Sequence, residues 1–295
     1  MRYVLTVMML LGGVAFGQQV VFSDPDFVYF REQYLTLRQA AALAKFKGDH
    51  VILSNVIQLD AKTAQVLAKF RGRTLSLGLP NLNPETAAAL SQFQGQAHLC
   101  TLSFDKLTAI DEPSAAALSQ FRGEILDFPR LSTLDANAAG SLLKFKGRVD
   151  LRGLSMLDAA TAKVLAEYQG RDLNLQGIKL LDPAAALALA EYKGIIHLPS
   201  LHVDAETAAA LAELRAEGLW LGVFRLDADV AKALNGFKGG TLHLNQFAVL
   251  DGTTAKALAG FEGNCLTLEG LTTTSAEGLA ALKANPRIRL SERFR

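Results

Sequence analysis

A glycine returns along this chain at an almost fixed interval, and that period restricts the possible folds more than any other feature. Gly48, Gly72, Gly95, Gly123, Gly147, Gly170, Gly194, Gly218, Gly239 and Gly263 are separated by 24, 23, 28, 24, 23, 24, 24, 21 and 24 residues. Two positions before most of them stands an aromatic: Phe46, Phe70, Phe93, Phe121, Phe145, Tyr168, Tyr192, Phe237 and Phe261. Twelve positions before most of them stands Asp60, Asn83, Asp111, Asp135, Asp158, Asp182, Asp227 or Asp251, and Asp204 takes this place in a unit with a longer end. Self-similarity at periods of roughly 20–50 residues marks a chain built from stacked copies of one small unit.

Each half of the unit has a physical reading. After Asp60 the apolar residues are Ala64, Leu67, Ala68 and Phe70, which is helical spacing with one buried stripe. Asp is a good N-cap because its carboxylate accepts backbone N–H bonds. Pro84 and Pro183 follow their caps, where a first-turn proline is tolerated. A helix of roughly ten residues is predicted, with the recurring glycine as a left-handed C-cap. Between glycine and the next cap, runs such as Leu173-Asn174-Leu175 and Leu242-His243-Leu244 alternate like a strand. One short strand and one short helix cannot bury their apolar faces alone, whereas stacked copies can. Helices need about twice the lateral spacing of strands, so the stack should curve with its strands inside.

The run Leu173, Leu175, Ile178, Leu181 and Asp182, matched by Leu151 to Asp158, resembles the leucine-rich repeat family. The resemblance covers residues 36–290 and implies an α/β curved solenoid of about eleven units, with a concave parallel sheet and convex helices. Where the family often places Asn or Cys, this chain has Val56, Leu79, Leu131, Leu154, Ile178 or Phe247. The step from Gly95 to Gly123 leaves two candidate strands, Ala97-His98-Leu99 and Leu102-Ser103-Phe104, and the unit around Thr272 lacks its Asp. Residues 18–35, with Phe22, Phe27, Tyr29, Phe30 and Tyr34, read as a cap on the first open face. Ile288–Leu290 among Arg287, Arg289 and Arg293 forms a charged last edge that discourages strand pairing, and residues 291–295 are a basic tail.

Met1-Arg2, an apolar run from Tyr3 to Phe16, and small residues at Ala15 and Gly17 read as a secretory signal peptide over residues 1–17. It is too short for a stable span, and no Cys follows the cut to carry a lipid. Cys100 and Cys265 lie many units apart, so no disulfide is expected. No Asn-x-Ser/Thr sequon occurs, which suits an exported bacterial protein, secreted or held in the periplasm or cell envelope. Lys plus Arg number 30 against 29 Asp plus Glu. That balance gives no reason to expect nucleic acid or anionic lipid as a partner.

Residues between the strand leucines point away from the core. Successive units place Ile52, Ser76, Ser103, Asp127, Asp150, Asn174, His197, Trp220, His243 and Thr267 in one outward column. Ser54, Gly78, Asp105, Pro129, Arg152, Gln176, Pro199, Gly222, Asn245 and Glu269 fall in a second. His197, Trp220 and His243 occupy consecutive strands, and an exposed aromatic flanked by polar groups is a binding anchor. The alternative is that the three rings stack and only stabilise the sheet. They make no zinc site, since Trp separates the histidines and no third ligand is evident. Asp127 and Asp150 are adjacent, like paired glycosidase carboxylates, but Arg130 and Arg152 beside them point to a solvated charge network. No phosphate-binding, dinucleotide-binding, zinc-protease or serine-hydrolase motif occurs. His50, His98 and His202 are scattered, and the repeated Phe/Tyr column reads as core.

These readings converge on a non-enzymatic, cofactor-free, protein-binding or scaffold module. Its expected concave-face residues are Asp127, Asp150, Arg152, Asn174, His197, Trp220 and His243. The resemblance implies protein partners. The alternatives are a structural envelope protein with no concave-face ligand and, third, a weak hydrolase using Asp127 and Asp150.

Overall fold

Within each unit, successive repeats lay their strands side by side in one sheet and send one short helix behind it. The computed structural model describes residues 20–95 and 100–294; the expected signal peptide and Ala97-His98-Leu99 lie outside the described residues. The chain divides after Gly153 into two compact units. The first carries a sheet in the order β1 (Val20–Asp24), β2 (Phe27–Phe30), β3 (His50–Leu53), β4 (Thr74–Leu77), β5 (Thr101–Phe104), β6 (Ile125–Asp127) and β7 (Arg148–Asp150). β1 pairs antiparallel with β2, and every later pair is parallel. The second unit's sheet runs β8 (Asp172–Asn174), β9 (Ile195–Leu201), β10 (Gly218–Val223), β11 (Thr241–His243), β12 (Cys265–Leu268) and β13 (Ile288–Leu290), parallel throughout.

Between the strands lie helices α1 (Leu37–Leu43), α2 (Ala61–Leu67), α3 (Pro84–Leu90), α4 (Glu112–Leu118) and α5 (Ala136–Leu142) in the first unit. The second has α6 (Ala159–Leu165), α7 (Pro183–Ala188), α8 (Ala205–Ala212), α9 (Ala228–Leu234), α10 (Gly252–Leu258) and α11 (Ala276–Ala284). Within each unit neighbouring helices pack side by side. The long step after Gly95 resolves in favour of Leu102-Ser103-Phe104 as the core of β5. Cys100 and Cys265 are free thiols.

The expected caps form. The Asp60 carboxylate accepts from the Thr63 N–H at 2.9 Å and from its hydroxyl at 2.7 Å. Asp111, Asp158 and Asp204 accept the equivalent N–H from Ser114, Thr161 and Thr207. In the last unit, where Asp is missing, Ser275 accepts from Gly278 instead. The cap also joins neighbours: the hydroxyls of Thr86 and Ser114, three residues after their caps, each donate 3.0 Å to Leu59 and Leu82 carbonyls of the preceding repeat.

Two expectations fail locally, for related reasons. Most helices span seven residues rather than ten, because the chain leaves α geometry before the aromatic. The glycines are not left-handed C-caps: among the described residues only Gly95 has positive φ, at 49°. Most are glycines for want of room, Gly218 excepted, where a Cβ would meet nothing closer than 3.8 Å. A Cβ on Gly72 would lie 2.1 Å from Cζ of Phe70 and 2.6 Å from the Asp49 carbonyl oxygen. The aromatic folds back over its own glycine while that glycine packs against the preceding turn. In the first unit the rings of Phe46, Phe70, Phe93, Phe121 and Phe145 stack face to face, with centroids 6.3, 6.0, 6.1 and 5.8 Å apart in turn.

Gly72→Ala should therefore destabilise the protein by about 1–3 kcal/mol through overpacking. Gly236→Ala, where a Cβ meets nothing within 4 Å, should be nearly neutral; urea denaturation of both variants checks the contrast. Acid unfolding carries a second signature. Hydrogen bonds from the Thr63 and Thr161 hydroxyls and N–H groups hold Asp60 and Asp158 below the usual carboxylate range. Their stabilisation is present above the unfolded value near 3.8 and is lost as pH falls through the lower folded values. Asp60→Asn/Asp158→Asn should flatten a melting profile between pH 5 and 2, on the order of the ordinary carboxylate titration range.

Candidate functional site

In the first unit the outward column is covered rather than open. Ser76 and Ser103 are buried, and Asp150, expected on an exposed face, is only 3% exposed. The cover comes from the second column. Asp105 folds back and accepts from the hydroxyls of Ser54 (2.5 Å), Ser76 (2.5 Å) and Ser103 (3.0 Å). Gly78 stands between Ser54 and Asp105 in that column, and a Cβ there would lie 2.0 Å from the Ser54 carbonyl oxygen. Its bare backbone leaves Asp105 free to reach two strands away.

Arg152 closes the other end of this network. Its Nη1 lies 2.9 Å from Asp150 Oδ2, its Nη2 lies 3.0 Å from Asp127 Oδ1, and its backbone N–H donates to Asp150 Oδ1 at 3.1 Å. Arg148 adds a second cation 3.5 Å from Asp150. The contact to Asp127 Oδ1 is an ion pair without hydrogen-bond alignment. Burial pushes the Asp127 carboxyl above its usual value, against the opposing pull of Arg152 and the Ser103 hydroxyl. A general acid–base pair must reach a substrate's protons, whereas Asp150 is buried under two guanidiniums. The arrangement is a largely buried charge network built by Arg152 and Arg148, rather than the solvated one that Arg130 and Arg152 suggested.

The second unit is different. Asn174 pairs with His197, His197 with Trp220, Trp220 with His243 and His243 with Thr267, one residue per strand. The four expected residues of this unit thus form one ladder. Trp220 is 42% exposed. His197 lies 6.0 Å from it on one side and His243 4.2 Å on the other, with interplanar angles of 15° and 14°. Both faces of the indole are therefore occupied, so Trp220 offers its edge rather than a platform for a sugar ring or a cation. His243 Nδ1 lies 3.0 Å from the Thr267 hydroxyl. Burial lowers its pKa, Glu269 opposes, and the nearby His197 lowers it further. His197 Nε2 is 3.6 Å from Asp172, and the Asn174 side chain accepts from the Gln176 N–H at 3.3 Å.

An exposed apolar row escaped the sequence reading. Leu180, Phe224 and Val249 are large exposed hydrophobics at the turn from strand to helix. Leu180 bridges to His202, whose ring stacks on Phe224 at 4.4 Å. Position gave only a partial signal: Leu180 and Val249 stand two places before their caps, as exposed Tyr34 does in the first unit, but Phe224 stands three places before Asp227. Among the described residues no group of three or more His, Cys, Asp or Glu is placed to hold a metal ion. No helix among them is long and apolar enough to cross a membrane.

The repeated strand, the capped helix and the in-register parallel sheets fit a leucine-rich-repeat fold. No protein-family profile matches the chain, and a comparison with curated proteins finds no match. Among solved structures, the chain is similar to an internalin from Listeria monocytogenes, with TM-score 0.42, 13% identity, and coverage of 90% of this chain and 86% of that one. It is similar also to a leucine-rich-repeat protein of Leptospira interrogans, with TM-score 0.35, 17% identity, and coverage of 87% and 75%. At such TM-scores and identities neither likeness carries an argument about this chain.

Two outcomes test the geometry. Arg152→Ala leaves Asp150 buried with only the more distant Arg148, so it should cost about 2–4 kcal/mol at pH 7. His243 carries a pH signature of its own. Its lowered pKa means that the folded state prefers the neutral ring, so its stabilisation is full above the unfolded value near 6.5 and is lost as pH falls through the lower folded value. His243→Gln should flatten the melting profile between pH 7.5 and 5, roughly the ordinary histidine titration range.

Proposed function

We propose that this chain is an exported, non-enzymatic repeat module that binds another protein through its sheet faces, chiefly the Asn174–His197–Trp220–His243 ladder of the second unit. One observation carries the reading: the only Trp of the chain stands 42% exposed on a strand, clamped between two histidines. A large aromatic held rigid at a surface loses little entropy on binding and suits a recognition anchor. With an imidazole on each side of the indole, the exposed remainder of the ring favours a protein surface over a flat ring ligand. Leu180, Phe224 and Val249 extend the apolar area available in the same unit. Asp127, Asp150 and Arg152 act in this reading as a charged, rigid stretch of the first unit's face, giving selectivity more than affinity. The apolar leader over residues 1–17 supports export to the envelope or medium, and no catalytic constellation asks for a cofactor.

The test compares the full chain with His197→Ala/Trp220→Ala/His243→Ala as bait for envelope and medium fractions of the source cell. The variant must keep its circular dichroism and melting temperature. The expected outcome is a protein retained by the chain and lost by the variant, whose purified form shifts or quenches Trp220 fluorescence. Equal retention by both would place recognition elsewhere, and no retention by either would leave a structural role for the chain.

A further inference from the structure

The near-zero net charge hides a strong local imbalance on the first unit. Its helices end in segments that bracket the buried phenylalanine with outward side chains: Lys45-Phe46-Lys47, Lys69-Phe70-Arg71 and Lys144-Phe145-Lys146. Arg73, Arg122 and Arg148 follow in the same connections, and all these basic side chains are exposed. The connections stack along one edge of the unit. The Arg73 N–H donates to the Asp49 carbonyl, Thr101 to Arg73 and Arg148 to Glu124, while the Arg71 guanidinium reaches Gln94 at 2.8 Å. Among the described residues, the ion pairs found here are Arg73 with Asp49 and Arg148 with Asp150, which leave the three bracketed pairs without a carboxylate partner. Lys45, Lys47 and Arg71 also line a recess of about 540 Å³ beside Phe46.

Helix C-termini favour cations, but that alone does not account for the ridge. At the same positions the second unit has Glu167-Tyr168-Gln169, Glu191-Tyr192-Lys193 and Glu213-Leu214-Arg215. There the charges alternate and pair: Arg215 with Glu191 at 3.4 Å, Arg171 with Glu217 at 3.2 Å, and Lys238 with Glu213. One scaffold position thus carries a neutralised edge in one unit and an unneutralised basic edge in the other. Strands about 4.8 Å apart bring neighbouring repeats within a Debye length of about 10 Å at 0.1 M salt, so their potentials add.

We propose that this basic ridge docks the protein peripherally on an anionic phospholipid surface, with its strand–helix connections facing the headgroups. A row of flexible lysines and arginines suits the delocalised negative field of a bilayer better than a single ligand. Among the described residues, no large hydrophobic is exposed between Ile57 and Arg148, so the proposed attachment is electrostatic rather than inserted. It releases with salt.

The experiment is co-sedimentation of the full chain with vesicles of phosphatidylglycerol and phosphatidylcholine, against phosphatidylcholine alone. Two variants remove the same number of positive charges: Lys45→Gln/Lys47→Gln/Lys69→Gln/Arg71→Gln on the ridge, and Arg171→Gln/Lys193→Gln/Arg215→Gln/Lys238→Gln on the second unit. Circular dichroism and melting confirm that both fold. Each ridge cation near the surface contributes about fivefold to the partition, so the ridge variant should lose well over tenfold. The second-unit variant should stay within about threefold of the parent, and raising salt to about 0.5 M should release the parent. Equal loss in both variants, binding to both vesicle types alike, or capture of soluble polyphosphate without vesicle binding would overturn the proposal.

Discussion

Within each unit, the close approach of neighbouring repeats at the aromatic–glycine step, present in most repeats, is the contact on which the rest of the architecture depends. At Gly72 there is no space for even a methyl group, because the Phe70 ring covers it from one side and the preceding turn from the other. That approach sets the level at which the next strand begins, and the strand pairing then follows residue for residue, as in Val51 with Leu75 and Leu75 with Leu102. Burying one aromatic per repeat contributes about 2–3 kcal/mol, and ring-to-ring contact adds somewhat less again. Asp caps and hydroxyl bonds to the preceding repeat fix the opposite end of each helix. A chain tied at both ends of every repeat has little freedom in register, so its outward residues line up as ladders.

Much of this was legible because period, caps and alternation are local signals. Asp60, Asn83 and Asp111 are caps whatever lies around them, and Leu173-Asn174-Leu175 is a strand by its pattern alone. What failed depended on packing between repeats. The glycines invited a reading as helix caps, since a glycine after a helix usually adopts positive φ; close packing is invisible to a one-dimensional pattern. Asp150 stands at an outward position yet is buried, with Arg152 from the second column folded onto its carboxylate. Nothing in the spacing marks the division after Gly153 either, since the step from Gly147 to Gly170 is 23 residues, like its neighbours.

The candidate site was half legible for the same reason. Alternation placed His197, Trp220 and His243 side by side and offered ring stacking as the alternative to an open anchor; the structure shows that stacking, with an imidazole on each side of the indole. That detail changes the chemistry, because it withdraws the indole face and leaves an edge. Whole-chain charge likewise hid the contrast between a paired edge at Glu191 and Arg215 and an unpaired one at Lys45 and Lys47. Each unit thus divides its labour between a sheet face shaped by outward columns and a connection edge shaped by the residues flanking the buried aromatic.

The claim at the centre of this account is that the second unit recognises a protein through its sheet face. Hydroxyl-radical footprinting tests it most directly, with the full chain oxidised alone and in the presence of its captured partner. The account predicts that Trp220 and Phe224 become protected while Leu187, exposed on α7, oxidises as before. Protection of Leu187 with Trp220 unchanged would contradict it and move recognition to the helix side.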